Sequence, residues 1–338
     1  CFAVLMLLCM AWWTVKPAPG EWSHPLQVGP WQVRMSVPTL LRIATHPLAL
    51  RWLEGRTLRT RYGTVQWRAG ERPDTWRASC APCTLRLAGW SGEEIHWTRA
   101  EWTVLRSNAN DFRGEFTLGD APRAVHGRWS VQLSASGVEL RVKLPDTPLA
   151  DAYALFTNAI PELRHAHIEG RMRFDLRLRL PEREWALKPH IEGFEVSGLR
   201  TESLLNGVPS CLASDASLQF GLWLPRAVIA AEDQRFYEHT GYDLQEMVAA
   251  WSGGTARGAS TLSQQLAKLL FAGDERSVQR KLRELLYAVE MDRTLGKARV
   301  LNLYLAIAPW GECQCGAQAA ARHYLHKRPE ALTPTEAA

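Results

Sequence analysis

Residues 227–241 read AVIAAEDQRFYEHTG. The apolar run Val228 to Ala231 leads into adjacent acids, Glu232 and Asp233, followed by Phe236, Tyr237, His239 and Gly241. Desolvation favours the neutral form of a carboxylate. An acid where a buried helix meets a cleft is therefore suited to accept a proton as a general base. Further along, Arg280 and Lys281 precede Glu284 by four and three residues, which on a helix places all three on one face. Such a cluster offers positive charge to a phosphate and keeps an acid at hand for a metal or a proton. Between the two groups, Ser260, Thr261, Gln264, Gln265 and Lys268 supply hydroxyls, amides and a further cation. Each group alone has a plain explanation: a solvated helix end, surface glutamines, or a salt-bridge face worth roughly 0.2–0.5 kcal/mol per pair. Their order and spacing together argue for chemistry.

The elements that must position these residues fall into two halves with different periods. From Leu224 onward the apolar residues recur at 3.6. LPRAVIAAEDQRFY, with Pro225 at its start, DLQEMVAAW, STLSQQLAKLLF, ERSVQRKLRELLYAVEMDR and KARVLNLYLAIA each predict a helix. In the third, Leu262, Leu266, Leu269 and Leu270 form one face, with Ser260, Gln264 and Lys268 stepping along another. Between about Leu26 and Leu199 the period is two. In RMRFDLRLRL, Met172, Phe174, Leu176, Leu178 and Leu180 alternate with Arg171, Arg173, Asp175, Arg177 and Arg179. VELRVKL and WQVRMSV repeat the pattern, which predicts an antiparallel sheet or sandwich with one apolar face. The arginines on the polar faces read first as solvated strand surface and second as contacts for lipid headgroups or an anionic partner.

The expected fold is therefore α+β: a membrane anchor over 1–16, a β-rich antiparallel domain of unassigned role over 17–215, and a mainly α-helical domain over 216–338. The boundary is expected in the turn-rich stretch between Asn206 and Phe220. With 338 residues, 46% hydrophobic and 22% charged, the chain is globular rather than disordered. A net charge of +5 does not point to nucleic acid, and none is expected as a partner; an anionic membrane or a phosphorylated substrate suits it equally. Cys1 to Val15 carries no charge and is followed by Lys16. It reads as an anchor clipped at its start, with a signal peptide as the alternative. At the other end, Thr333, Pro334 and Glu336 predict a helix start, cut short. Cys80 and Cys83 in CAPC form either a short-loop disulfide or a turn with two thiols, and Cys313 and Cys315 are left unassigned. No zinc-type ligand spacing is present.

Four stretches of the helical half resemble the peptidoglycan glycosyltransferases, the lysozyme-like domain of class A penicillin-binding proteins and of monofunctional transglycosylases. LPRAVIAAEDQRFYEHTG is similar to the family's E-D-x-x-F-x-x-H-x-G motif, and RGASTLSQQLAKLLF to G-x-S-T-x-x-Q-Q with its trailing lysine. RSVQRKLRELLYAVEMD resembles R-K-x-x-E, and KARVLNLYLAIAPWG resembles K-x-x-x-L-x-x-Y-L-N. The four occur in the family's order, and RGASTLSQQ and YLAIAPWG follow the wording of the monofunctional enzymes. The resemblance covers Leu224 to Ala338 and says nothing about residues 17–215.

The resemblance implies an inverting transferase that polymerises lipid II into β-1,4 glycan. Glu232 would take the proton of the acceptor's 4-hydroxyl. Glu284, with Arg280, Lys281 and Lys268, would sit by the departing pyrophosphate, directly or through a divalent cation (Mg or Mn). Ser260, Thr261, Gln264 and Gln265 would line the donor side, and Asp233, Phe236 and His239 would shape the loop that holds the base. The implied partners are lipid II, the growing strand, the membrane and cell-wall synthesis or division proteins. The implied location is the bacterial inner membrane, single-pass, with the catalytic domain periplasmic. The sequence departs from the pattern at Ala306, where the family has Asn, at Pro309 and Trp310, and in a short stretch between Gly241 and Gly258. Two other readings stand beside the transferase: a lysozyme-like glycan hydrolase, disfavoured by the cations, and a weak or inactive lipid II-binding scaffold.

Overall fold

The computed structural model describes residues 16–28, 31–60, 62–72, 74–85, 94–207, 219–253, 260–273, 277–311 and 314–338. The expected anchor, most of the boundary stretch, much of the short segment before Gly258 and Cys313 lie outside them. Among the described residues no helix is long and apolar enough to cross a membrane.

Two compact units are present. Of the described residues, the first comprises those within 16–85, 95–147 and 172–190; the second comprises those within 148–171 and 191–338, with residue 94. The second unit thus takes in stretches of the period-two region as well as the helices, so compactness does not follow the change of period.

The period-two expectation holds in its main point: the region is an antiparallel sheet. It opens with a hairpin of β1 (Ser23–Val28) and β2 (Trp31–Ser36). Ser36 then caps α1 (Val37–Ala44) by accepting from Thr39 N, and α2 (Pro47–Leu53) follows. The main sheet runs through β3 (Thr57–Thr60), β4 (Gly63–Ala69), β5 (Thr75–Leu85), β6 (Ile95–Trp97), β7 (Ala100–Arg106), β8 (Asp111–Leu118), β9 (Val125–Leu133), β10 (Val138–Pro148), β11 (His167–Leu180) and β12 (Glu184–Ser197). Its order is β12-β11-β10-β9-β8-β7-β5-β4-β3, with β6 paired to β5. This is one ten-stranded sheet with neighbours mostly adjacent in sequence, rather than a sandwich. Along β11 the arginines and Asp175 are exposed, and Met172, Phe174, Leu176, Leu178 and Leu180 are half-buried, as the alternation predicts. Cys80 and Cys83 are joined by a disulfide on β5 and packed beside Ala100.

The polar face of this sheet is not merely solvated. Glu139 on β10 accepts from Arg177 at 2.6 Å, from Arg141 at 2.7 Å and from Arg179 at 3.2 Å, so three guanidiniums from two strands converge on one carboxylate.

The second unit includes α3 (Leu149–Ala154) and the predicted helices α4 (Trp223–Glu232), α5 (Leu244–Gly253), α6 (Leu262–Ala267), α7 (Val278–Ile307) and α9 (Pro334–Ala337), with α8 (Ala317–Leu325), which was not predicted, between the last two. The two helices expected for the long amphipathic stretch meet at Gly296, whose φ of 73° and ψ of 162° interrupt α7. That left-handed region favours glycine. The core gathers Leu224 and Val228 of α4, Phe236, Leu262 and Leu266 of α6, and Met291, Leu303 and Leu305 of α7. Side chains such as Leu262, Leu266 and Leu305, which are wholly buried, each stabilise the fold by roughly 1.5–3 kcal/mol.

Arg177, then Arg141 and Arg179, hold the Glu139 carboxyl down at about 2, from an ordinary 4.5. A group depressed by folding contributes stability that is complete above its unfolded value and is lost as pH falls through the folded one. The Tm difference between wild type and Glu139→Gln is therefore expected to be full at pH 6 and to shrink from pH 4.5 towards 2. A difference that is constant over that range would contradict the cluster.

Candidate active site

Glu232 is the last residue of α4, and the reason the helix stops there lies in its neighbour. Asp233 leaves helical geometry at φ −156° and ψ 75°. Its buried carboxylate accepts from Leu262 N at 2.9 Å, the first residue of α6, and faces His239 Nε2 at 3.1 Å from both oxygens. A carboxylate at a helix N-terminus satisfies one of its free N–H groups and complements its dipole. Lys297 Nζ lies 3.4 Å from His239 Nδ1. Nε2 is the ring atom placed to donate to Asp233, since a carboxylate can only accept. Lys297 also pairs with Asp292 at 2.9 Å, which accepts from Ser263 Oγ at 3.1 Å, and it lies 4.6 Å from the Phe236 ring centre. Phe236 is fully buried, as the loop-shaping expectation requires. Gly241 closes this loop at φ 85°, and a Cβ there would fall 2.5 Å from Ala288 O, so only glycine fits.

Leu224, Val228 and Glu232 are spaced by four, so the stripe that buries α4 also leads Glu232 towards α6. There Gln265 Nε2 donates to Glu232 Oε2 at 3.0 Å. Gln265 is itself held by Tyr304, whose hydroxyl donates to Gln265 Oε1 at 2.9 Å. Burial, and then the charge of Glu232, push the Tyr304 hydroxyl up to about 12, so it remains a donor across any physiological range. Gln265 Nε2 also reaches Ser260 O at 3.5 Å. Ser260 Oγ accepts from Lys281 Nζ at 2.5 Å, and Lys281 continues to Glu284 Oε2 at 3.0 Å. Arg280 lies 3.1 Å from Glu284 Oε1. An unbroken path of side chains and one backbone carbonyl therefore joins Glu232 to the cationic cluster.

Two expectations are corrected. Glu232 is exposed, not desolvated, because the helix ends at it and its side chain leaves the packed surface. Ser260, Gln264 and Lys268 do not line one face. Thr261 is the N-cap of α6, so Ser260 lies ahead of the helix. Gln264 is buried in a capping box, its Oε1 accepting from Thr261 N at 3.0 Å while Thr261 Oγ1 accepts from Gln264 N at 3.1 Å. Thr261 Oγ1 also donates to Gly241 O at 2.6 Å, so both residues build the site's frame rather than its lining. The T-x-x-Q spacing carried that signal. Lys268 is half-buried at the start of a π-helical turn, Lys268–Ala272, which swings Leu269 out to solvent while Leu266 stays buried. Tyr304 and Lys297, the Y and K of the fourth motif, join the site without having been given a role.

Ala306 is wholly buried in the helical core, so at this position the fourth motif packs. Pro309 forms a β-bridge with Cys315, and Trp310 O accepts from Tyr324 at 2.9 Å. Glu284 does not suit a metal ion: cations lie 3.1 and 3.0 Å from its two oxygens. Among the described residues no group of three or more His, Cys, Asp or Glu side chains forms a metal site.

Residues 217–338 match the family described as Transglycosylase. Proteins named biosynthetic peptidoglycan transglycosylase are similar over the same third of the chain. That of Nitrosomonas eutropha is 44% identical over 120 residues, 34% of this chain and 49% of its own length. That of Cupriavidus metallidurans is 42% identical over 34% of this chain and 52% of its own. That of Xanthomonas campestris pv. campestris is 45% identical over 34% and 48%. The chain thus spans about half the length of the curated relatives it matches. The helical segment is therefore similar to the transglycosylase family over the stretch that carries the four motifs.

Asp233→Ala removes the acceptor of both the Leu262 N–H and His239, and is expected to cost about 2–4 kcal/mol of stability. Asp233→Asn keeps an acceptor for the N–H and should cost less. Denaturant unfolding of the full chain reads both, and an unchanged midpoint for Asp233→Ala would contradict the geometry.

Proposed function

We propose that this protein is a peptidoglycan glycosyltransferase that polymerises lipid II into β-1,4 glycan, with residues 216–338 as its catalytic domain. The observation that carries the reading is the continuous path Glu232–Gln265–Ser260–Lys281–Glu284. It sets an exposed carboxylate on one side and a cationic cluster on the other.

In this reading Glu232 takes the proton from the acceptor 4-hydroxyl as that oxygen attacks the donor's anomeric carbon. The bond from that carbon to the pyrophosphate oxygen breaks, and the configuration inverts. Exposure gives Glu232 direct access to a sugar, while Gln265, anchored by Tyr304, fixes where its carboxylate points. Arg280 and Lys281 outnumber Glu284, so the cluster keeps one net positive charge for the leaving diphosphate. Lys268 is assigned to the same side. Charge fixed in advance where negative charge develops is usually the largest catalytic contribution. Glu284 holds both cations in place as an ion-pair partner, and no step runs through a metal. Glycan hydrolysis would leave these cations without a task. The periplasmic face of the bacterial inner membrane is the location this substrate requires, since a polyprenyl chain stays in the bilayer.

Glu232→Gln keeps shape and removes the base, and is expected to abolish polymerisation of labelled lipid II, by about 10²–10⁴-fold, with an unchanged melting curve. Wild-type turnover by this variant would remove Glu232 from the mechanism. Glu284→Gln frees Arg280 and Lys281 from their anchor and should lower kcat by roughly 100-fold, the lower end of what one lost preorganised contact costs. Unchanged kinetics would reduce it to a surface-type pair.

A further inference from the structure

Helix α7 carries a second polar stripe besides Arg280, Lys281 and Glu284. Gln279, Arg283, Glu290 and Thr294 are spaced by four, seven and four residues, which at 3.6 residues per turn keeps them within a quarter turn of one another. Each has a partner in residues 159–201, outside the segment that matches the transglycosylase family. They nevertheless belong to the same compact unit as the helices.

Gln279 Nε2 donates to Ala159 O. Arg283 pairs with the half-buried Glu162 at 2.5 and 2.7 Å and donates to Phe271 O at 3.1 Å. Phe271 stacks on Tyr287 of α7 with ring centres 4.1 Å apart. Glu290 is wholly buried. It accepts from Leu199 N at 2.9 Å, from Thr201 N at 3.2 Å and from Thr201 Oγ1 at 3.0 Å, and Thr201 Oγ1 lies 2.9 Å from Thr294 Oγ1. On neighbouring turns Arg293 reaches Val196 O at 3.1 Å, and Arg299 reaches Leu204 O and Gly207 O at 2.8 Å.

A helix surface with a fully buried carboxylate and a half-buried ion pair cannot face its partners loosely, because each lost partner leaves a charge or donor unsatisfied. The stripe is pinned at Gln279 and again at Thr294, about 22 Å apart at 1.5 Å per residue. Pinned twice on one side, α7 can neither rotate nor slide without breaking charged contacts. Arg280 and Glu284 are the immediate neighbours of Gln279 and Arg283, so the rotation set by one stripe fixes where the other points.

We infer that residues 148–171 and 191–207 form a built-in clamp on α7, in which Glu162, acting through Arg283, is a positioning residue for the Arg280–Lys281–Glu284 cluster. The positioning role rests on reading that cluster as the leaving-group site; the clamp itself does not.

The experiment uses the full chain with Glu162→Gln, Glu162→Ala and Glu162→Asp, reading amide hydrogen exchange over 279–287 and lipid II polymerisation. Glu162→Gln preserves volume and serves if the alanine variant does not fold. The clamp predicts that Gln and Ala speed exchange in this stretch at least tenfold. It also predicts that kcat falls about tenfold with KM within twofold, and that Asp restores most of both. Unchanged exchange overturns the clamp. Faster exchange with unchanged kcat, or a fall in kcat that Asp does not rescue, overturns the positioning role. If the wild-type chain does not polymerise lipid II, the activity reading and the positioning role fall together, and the exchange result alone decides the clamp.

Discussion

The whole helical site depends on one buried carboxylate that does no chemistry. Asp233 accepts the first free N–H of α6 and faces His239, and both contacts draw it out of helical geometry. Because Asp233 must turn inward, α4 ends one residue earlier, and Glu232 is left at the helix tip with its carboxylate free to meet Gln265. The same bond fixes the start of α6 relative to α4, and so sets the reach of Gln265 to Glu232. A pair of adjacent acids thus divides its labour by burial: one builds the loop and the other faces solvent.

The cationic side is organised on a different principle. Glu284 is nearly inaccessible and is flanked by Arg280 and Lys281 at ion-pair distance. Removing the acid would leave two cations without a shared anchor, whereas an incoming anion could meet their outward sides. Ser260 links the two principles, since its carbonyl meets Gln265 and its hydroxyl meets Lys281. A residue just ahead of an N-cap has both groups free to do this, and that explains why the path passes through it.

Much of this arrangement was readable in the sequence. The spacing of Arg280, Lys281 and Glu284 is a helix-face pattern, and the alternation of Met172 to Leu180 with arginines is a strand pattern; both are local and both hold. Gln264 was misplaced because its capping bond competes with the simple face count, and Leu269 because a π-helical turn breaks the 3.6 period. Tyr304 and Lys297 act through contacts 39 and 58 residues away in sequence, where periodicity carries no information. Glu290 is the sharpest case. An acid in an amphipathic helix reads as solvated, and only the fold brings Leu199 and Thr201 to bury it.

A crystal structure of the full chain with inorganic pyrophosphate bound tests the account most directly. The diphosphate is expected against Arg280 and Lys281, with Gln265 still donating to Glu232. Pyrophosphate bound elsewhere, or a Glu232 carboxylate turned away from Gln265 and the cations, would contradict it.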